Sequence, residues 1–147
     1  MLVLTTAAIA LFVAHQGESA KPPDHIVKVV IKPARNGGCE IPDNVKNVDN
    51  ASRGDLIRWE FQNNCATDLE VGISGFCAPQ RYAHLIEPRE DPLEKKCPRQ
   101  TVVKANGGVG HVECRIKKKT FYPRTYKYNI IGGKAILLDP EIEIEHP

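Results

Sequence analysis

The sequence predicts an all-β protein, an antiparallel Greek-key β-sandwich of about seven strands. Three observations predict it. Apolar and polar residues alternate strictly through several short segments, the spacing of a strand with one face in a core. Turn-forming pairs such as Gly37-Gly38, Asn63-Asn64 and Gly132-Gly133 separate those segments. No stretch carries a convincing helical pattern of apolar residues.

The clearest alternation runs from Gly54 to Asn64, where Ile57, Trp59 and Phe61 share one face and Leu56, Arg58, Glu60 and Gln62 share the other. Trp59 is the only tryptophan of the chain. An indole with apolar neighbours two residues away on each side is a natural anchor between two sheets, because such a side chain buries on the order of 150 to 250 Å². The remaining strands are expected to cover it, with Trp59 itself buried.

A chain of 147 residues with 41% hydrophobic residues has the size of one domain with a two-layer core. Its formal charge of +2 sets up no strong field, so nucleic acid is not an expected partner. Leu2 to Ala14 is almost wholly apolar, too short for an ordinary spanning helix and the right length for the core of a secretory signal. Residues 1–20 are therefore expected to be a signal peptide, 21–24 a short tether, and 25–147 the domain. The expected location is periplasmic or secreted, with membrane contact only through an uncleaved signal.

Taken in order, His25 to Pro33 is rich in β-branched residues and ends at a proline, which predicts the first strand. Ala34 to Asn50 is mostly connection, with Val45 and Val48 the candidates for a brief irregular strand. Asn50-Ala51-Ser52 fits the N-glycosylation pattern, a signal that carries no weight alone. After the Trp59 strand, Leu69, Val71 and Ile73 alternate inward. Ser74 to Pro98 then breaks the rhythm with four prolines and reads as a long excursion or insertion. Thr101 to Lys104 starts a strand and Gly107-Gly108 turns the chain. Val112, Cys114 and Ile116 share one face, as do Tyr126, Tyr128 and Ile130. Ala135 to Leu138 continues extended, and Glu141-Ile-Glu-Ile-Glu145 alternates to the end.

All five cysteines follow the apolar stretch and none forms a C-x-x-C pair, which favours disulfides in an oxidising compartment over a zinc or redox motif. Cys77 and Cys97 flank the excursion with nineteen residues between them. Closing a loop of that size supplies roughly 3 kcal/mol on the chain-entropy model, so Cys77–Cys97 is the expected bond. Cys65 with Cys114 is the next expected pair, and Cys39 is the expected spare.

The first strand His25 to Pro33, the Gly54-Asp-Leu-Ile-Arg-Trp59 segment before Asn63-Asn64, and the closing Tyr126-Lys-Tyr128 strand together resemble a cupredoxin-like β-sandwich, the fold of plastocyanin and azurin. Tyr126-Lys-Tyr-Asn-Ile130 with Asp139-Pro-Glu-Ile142 also resembles small exported bacterial proteins of this fold that have lost the copper site. The resemblance covers residues 25–145, with 74–98 as an insertion. In that family a type 1 copper is held by two His, one Cys and usually an axial Met. Where the first His would follow the Asn-Asn turn, this chain has Cys65-Ala66-Thr67-Asp68. Where the Cys, second His and Met would follow the aromatic pair, it has Asn129, Ile130, Gly132, Gly133 and Lys134, and its only Met is Met1. The resemblance thus implies the fold without the copper, and no metal, cofactor or catalytic residue is expected.

Recognition is expected from loops, because the strands spend their apolar faces on each other. Arg81, Tyr82, His84, Leu85 and Ile86, in the middle of the excursion, are the expected binding residues for an unknown protein or surface polymer. The basic Arg115 to Arg124 edge, with Lys117, Lys118 and Lys119, is a second such surface. The alternative is a copper- or zinc-binding redox protein with a displaced site drawn from Cys77, His84, Cys97 and His111. No nucleophile elbow or phosphate cradle is present to suggest an enzyme.

Overall fold

The computed structural model describes residues 21–77, 91–120, 123–137 and 140–147. The expected signal peptide and the expected binding residues Arg81, Tyr82, His84, Leu85 and Ile86 lie outside the described residues. The described residues form ten strands: β1 (His25–Pro33), β2 (Cys39–Glu40), β3 (Val48–Ser52), β4 (Leu56–Asn63), β5 (Leu69–Cys77), β6 (Gln100–Val103), β7 (Gly108–Arg115), β8 (Arg124–Gly132), β9 (Ala135–Leu137) and β10 (Glu141–His146). They form two sheets, one in the order β2-β1-β4-β7 and one in the order β3-β10-β8-β5-β6, with β9 also paired to β8. The protein is thus an all-β sandwich, as the alternation predicts. No helix among the described residues is long and apolar enough to cross a membrane.

Two features differ from a purely antiparallel arrangement of about seven strands. β1 runs parallel to β4, with His25 opposite Ile57 and Ile31 opposite Asn63. β3 runs parallel to β10. A parallel partner cannot be reached by a tight turn, so each pairing needs a long connection. β2 and β3 supply that connection between β1 and β4.

The inward face of β4 is the predicted one. Ile57, Trp59 and Phe61 are all wholly buried, flanked by Val27, Val29 and Ile31 of β1 and by Val112 and Cys114 of β7. Val71 and Ile73 of β5, Tyr126, Tyr128 and Ile130 of β8, and Ile142 and Ile144 of β10 complete the buried core. The Trp59 indole meets the Tyr128 ring edge-on, with centroids 5.9 Å apart. Its Nε1–H donates to the Tyr128 hydroxyl at 3.0 Å, so each ring brings the other its polar partner into a dry core. Burial pushes the Tyr128 phenol up to about 12, because the ionised form is the costlier one to bury; the indole hydrogen bond acts weakly the other way.

One end of the sandwich is organised by Asn63, which is fully buried. Its Nδ2 donates to the Thr67 carbonyl at 2.8 Å and to the Val103 carbonyl at 3.1 Å, and its Oδ1 accepts the Cys65 N–H at 3.0 Å. One amide therefore fixes both the turn after β4 and the end of β6. The chain then turns at Asn106 and Gly107, both with positive φ, the conformation that an Asn-Gly pair adopts most readily.

The cysteine scheme expected from the sequence is overturned. Cys39 is bonded to Cys65, and Cys97 to Cys114, with Cα separations of 6.4 and 5.3 Å. The reasons lie in the register. β2 pairs with the end of β1, and the Asn64 N–H donates to the Ile31 carbonyl, so Cys39 and Cys65 meet beside the last residues of β1. At the other end Leu93 bridges Ile116 and the Glu94 N–H donates to the Arg115 carbonyl, which lays the segment before Cys97 along the end of β7. Cys114 faces inward there. Neither Cys77–Cys97 nor Cys65–Cys114 can form beside these bonds, and Cys39 is not the spare. Cys77 is the fifth cysteine, and its side chain lies outside the described residues.

Candidate functional site

The excursion expected over 74–98 is narrower than its composition suggests. β5 continues to Cys77, and residues 91–99 pack against β7, with Leu93 wholly buried and the Thr120 hydroxyl donating to the Pro92 carbonyl. Between these two roots lies a recess of about 490 Å³, lined by Ile73, Ser74, Gly75, Phe76, Asp91, Arg99 and Gln100.

A bulge in β5 shapes its floor. The register between β5 and β8 shifts between Ser74 and Cys77, and Gly75 sits at φ +67°. A Cβ at Gly75 would also come within 2.6 Å of the Asn129 side-chain amide, which would have to move aside, so the positive φ and the close approach both favour glycine. At Gly72 a side chain would strike the Arg99 carbonyl, the same oxygen that accepts the Ile73 N–H at 3.0 Å. Gly72 thus lets the Arg99 backbone lie directly on β5.

Arg99 dominates the wall. Its Nη2 donates to Asp91 Oδ2 at 2.8 Å and to the Glu94 and Leu93 carbonyls at 3.1 and 3.4 Å. The guanidinium carbon stands 5.5 Å from the centre of the Phe76 ring, and Phe76 is stacked on Tyr128 at 5.4 Å. Asp91 in turn accepts the Leu93 N–H at 2.9 Å. Arg99 Nη1 is buried and finds no acceptor among the described residues. A guanidinium held on one side and unsatisfied on the other is unusual, because buried donors are nearly always paired.

The basic edge is less free than its sequence suggests. Arg115 Nη1 donates to the Gly54 carbonyl at 2.5 Å, and Lys117 Nζ donates to the Asp91 carbonyl. Lys95, Lys96, Lys118 and Lys119 are exposed. His111 and Cys114 lie on opposite faces of β7, as a three-residue spacing on a strand requires, His111 outward and Cys114 in its disulfide. Cys97, of the displaced Cys/His set, is likewise bonded, while the Cys77 side chain and His84 lie outside the described residues. Among the described residues no group of three or more His, Cys, Asp or Glu side chains is placed to hold a metal. Cys65, which stands where the cupredoxin resemblance would put a first His, is bonded to Cys39.

Sequence reasoning missed one clasp. His25 Nε2 lies 2.9 Å from Asp55 Oδ2, which also accepts the Ser52 N–H at 2.8 Å. Beside it the Asp24 carboxylate accepts the Leu56 N–H at 2.9 Å, and that bond, then the one from Lys21, holds its pKa below the ordinary value. Together they tie the start of β1 to the turn before β4. At the other end Lys104, then the Ala105 N–H, holds Asp68 below its ordinary value, and Asp68 raises Lys104 in return. Asn50 of the glycosylation pattern is exposed on β3 with a positive φ.

No protein-family model matches the chain, and a comparison with curated proteins finds no match. Solved structures with partial likeness include the CupB2 chaperone of Pseudomonas aeruginosa, 11% identical over 66% of this chain with a TM-score of 0.47. The 2F4 variant of the McoA multicopper oxidase of Aquifex aeolicus is 14% identical over 82% of the chain with a TM-score of 0.42. A multi-copper oxidase of Pediococcus acidilactici is 16% identical over 100% of it with a TM-score of 0.35. The chain spans 52%, 29% and 31% of the lengths of those three proteins.

Proposed function

We propose that this chain is a non-catalytic, exported binding module on a cupredoxin-like scaffold without a type 1 copper site. Its contact surface is the end of the sandwich that carries the 78–90 segment and the recess beside Arg99. The observation that carries the reading is the Arg99 guanidinium in the wall of the recess, fixed by Asp91, two carbonyls and Phe76 while 24% of its side chain stays exposed. A preorganised cation beside the apolar Ile73 and Phe76 suits a partner group that carries an oxygen acceptor on an apolar stem. Arg81, Tyr82, His84, Leu85 and Ile86 supply the rest of the contact, for a protein or surface polymer as partner. Two disulfides support an oxidising location, periplasmic or secreted.

The test uses two variants, one with residues 78–90 replaced by a Gly-Ser linker and one carrying Arg99→Gln. Residues 91–99 stay, because Leu93 and Cys97 belong to the packed body. The expected result is a partner captured from an envelope extract by the parent chain and lost by both variants, with the melting temperature of the linker variant unchanged. Equal capture by both variants, or a collapse of the linker variant, overturns the assignment.

A further inference from the structure

Two tight turns flank the antiparallel bridge between Leu93 and Ile116, and each carries a pair of lysines at its tip. The first, with Lys95 and Lys96, is pinned by the Glu94 N–H, which donates to the Arg115 carbonyl at 2.8 Å, and by the Cys97–Cys114 disulfide. The second, with Lys118 and Lys119, begins where the Lys117 N–H donates to the Pro92 carbonyl at 2.9 Å. It closes through the Thr120 N–H on the Lys117 carbonyl at 3.2 Å and the Thr120 hydroxyl on the Pro92 carbonyl at 3.1 Å. The bridge thus sets two lysine pairs that are distant in sequence on one stretch of surface, each on a fixed backbone.

All four lysines are exposed, and none forms an ion pair among the described residues. Their neighbours are engaged: Lys117 Nζ donates to the Asp91 carbonyl, and the Asp91 carboxylate accepts from Arg99. Glu94 is the exposed carboxylate beside them. In a chain whose formal charge is only +2, four unpaired cations in two adjoining turns are a local concentration of charge. Because the bridge is antiparallel, the turns leave it in opposite directions, about three strand residues apart, on the order of 10 Å. That is roughly a Debye length, so the pairs repel each other little, and one small anion cannot touch both. A chain of anions can.

We infer that the two lysine turns form a binding surface for a linear anionic polysaccharide, which lies across the Leu93–Ile116 bridge with its sulfates or carboxylates over both pairs. An ammonium is a point charge without the fork of a guanidinium, which suits anions repeated along a flexible chain. The large apolar side chains exposed among the described residues, Ile26, Val30, Val102, Val109 and Ile136, lie in β1, β6, β7 and β9, so the turns offer a membrane nothing to bury. The described aromatic rings are buried and give nucleic-acid bases no stacking face. The choice of a polysaccharide rests on the exported reading above, but no part of the surface uses the Arg99 recess.

The test is an anisotropy titration of fluorescein-labelled dextran sulfate with the full chain, with uncharged dextran as the control. Dextran sulfate should bind saturably and dextran should not. The logarithm of Kd should rise with that of salt concentration with a slope of about 3, the scale of four charge contacts on a flexible polyanion. Lys95→Gln with Lys96→Gln, and Lys118→Gln with Lys119→Gln, should each weaken binding about tenfold and halve that slope. Lys28→Gln with Lys32→Gln, which removes the same charge from β1, should leave binding unchanged, and so should Arg99→Gln. An equal loss in the β1 variant, or no saturable binding at physiological salt, overturns the surface. A loss in Arg99→Gln would move the polymer to the recess and overturn it too. Tighter binding, at equal charge, to polyglutamate, single-stranded DNA or phosphatidylglycerol vesicles overturns the polysaccharide as occupant.

Discussion

Trp59 of β4 and Tyr128 of β8 join the two sheets through a single hydrogen bond between buried rings, from indole nitrogen to phenol oxygen at 3.0 Å. Tyr128→Phe keeps the packing but strands the indole N–H, and should cost about 1 to 3 kcal/mol by denaturant titration. The phenol also makes stability fall at high pH. The folded-state value of about 12 lies above the ordinary 10, so the folded form stays neutral while the unfolded chain ionises. This contribution is fully present below pH 10 and disappears as pH rises towards 12, on the order of 2 to 3 kcal/mol. Tyr128→Phe should remove that share of the alkaline loss; an unchanged pH profile would mean that the phenol ionises freely in the fold.

Peptide mapping without reduction should recover Cys39 with Cys65 and Cys97 with Cys114. The second bond closes a 17-residue separation, so Cys97→Ser should destabilise by about 3 kcal/mol on the chain-entropy model. A peptide joining Cys77 to either of these pairs would show that the connection before β6 does not run along β7.

Asn63→Ala removes three hydrogen bonds at once and leaves the Cys65 N–H and the Val103 carbonyl without their buried partner. The expected cost is roughly 2 to 4 kcal/mol, read as a lowered denaturant midpoint. Asn63→Asp should be as harmful, since a carboxylate cannot donate to the Thr67 and Val103 carbonyls. A surface-like loss of a few tenths would mean that the turn holds without the amide.

Where the alternation is strict the core was readable residue by residue. Ile57, Trp59 and Phe61, Tyr126, Tyr128 and Ile130, and Ile142 and Ile144 all point inward as their spacing predicts. β3 was legible only at Val48, one of the two candidates for an irregular strand, because its buried residues Val48 and Ala51 are three apart across a bulge, which breaks period two. β2 is two residues long and carries no pattern at all. Without it Cys39 has no place in the fold, and the disulfides were misassigned for that reason. Parallel pairing leaves no mark in local sequence. Arg99 follows Pro98 and reads as loop; the tertiary approach of β5 gives its guanidinium the Phe76 ring, and the folding of 91–99 on itself gives it the Asp91 carboxylate. The Asn106-Gly107 pair was a legible turn signal, one residue ahead of the glycine pair that the composition emphasises.

The pairing of β3 with β10 also governs the order in which the molecule can assemble. The Glu141 N–H donates to the Asn47 side chain across 94 residues of sequence, and among the described residues β3 finds its ladder on the distant β10 alone. Contacts that close so late are slow to form, because the entropy of looping is lost before they return anything. During synthesis this edge of the sheet cannot close until β10 has left the ribosome, and until then β3 has no strand partner among the described residues.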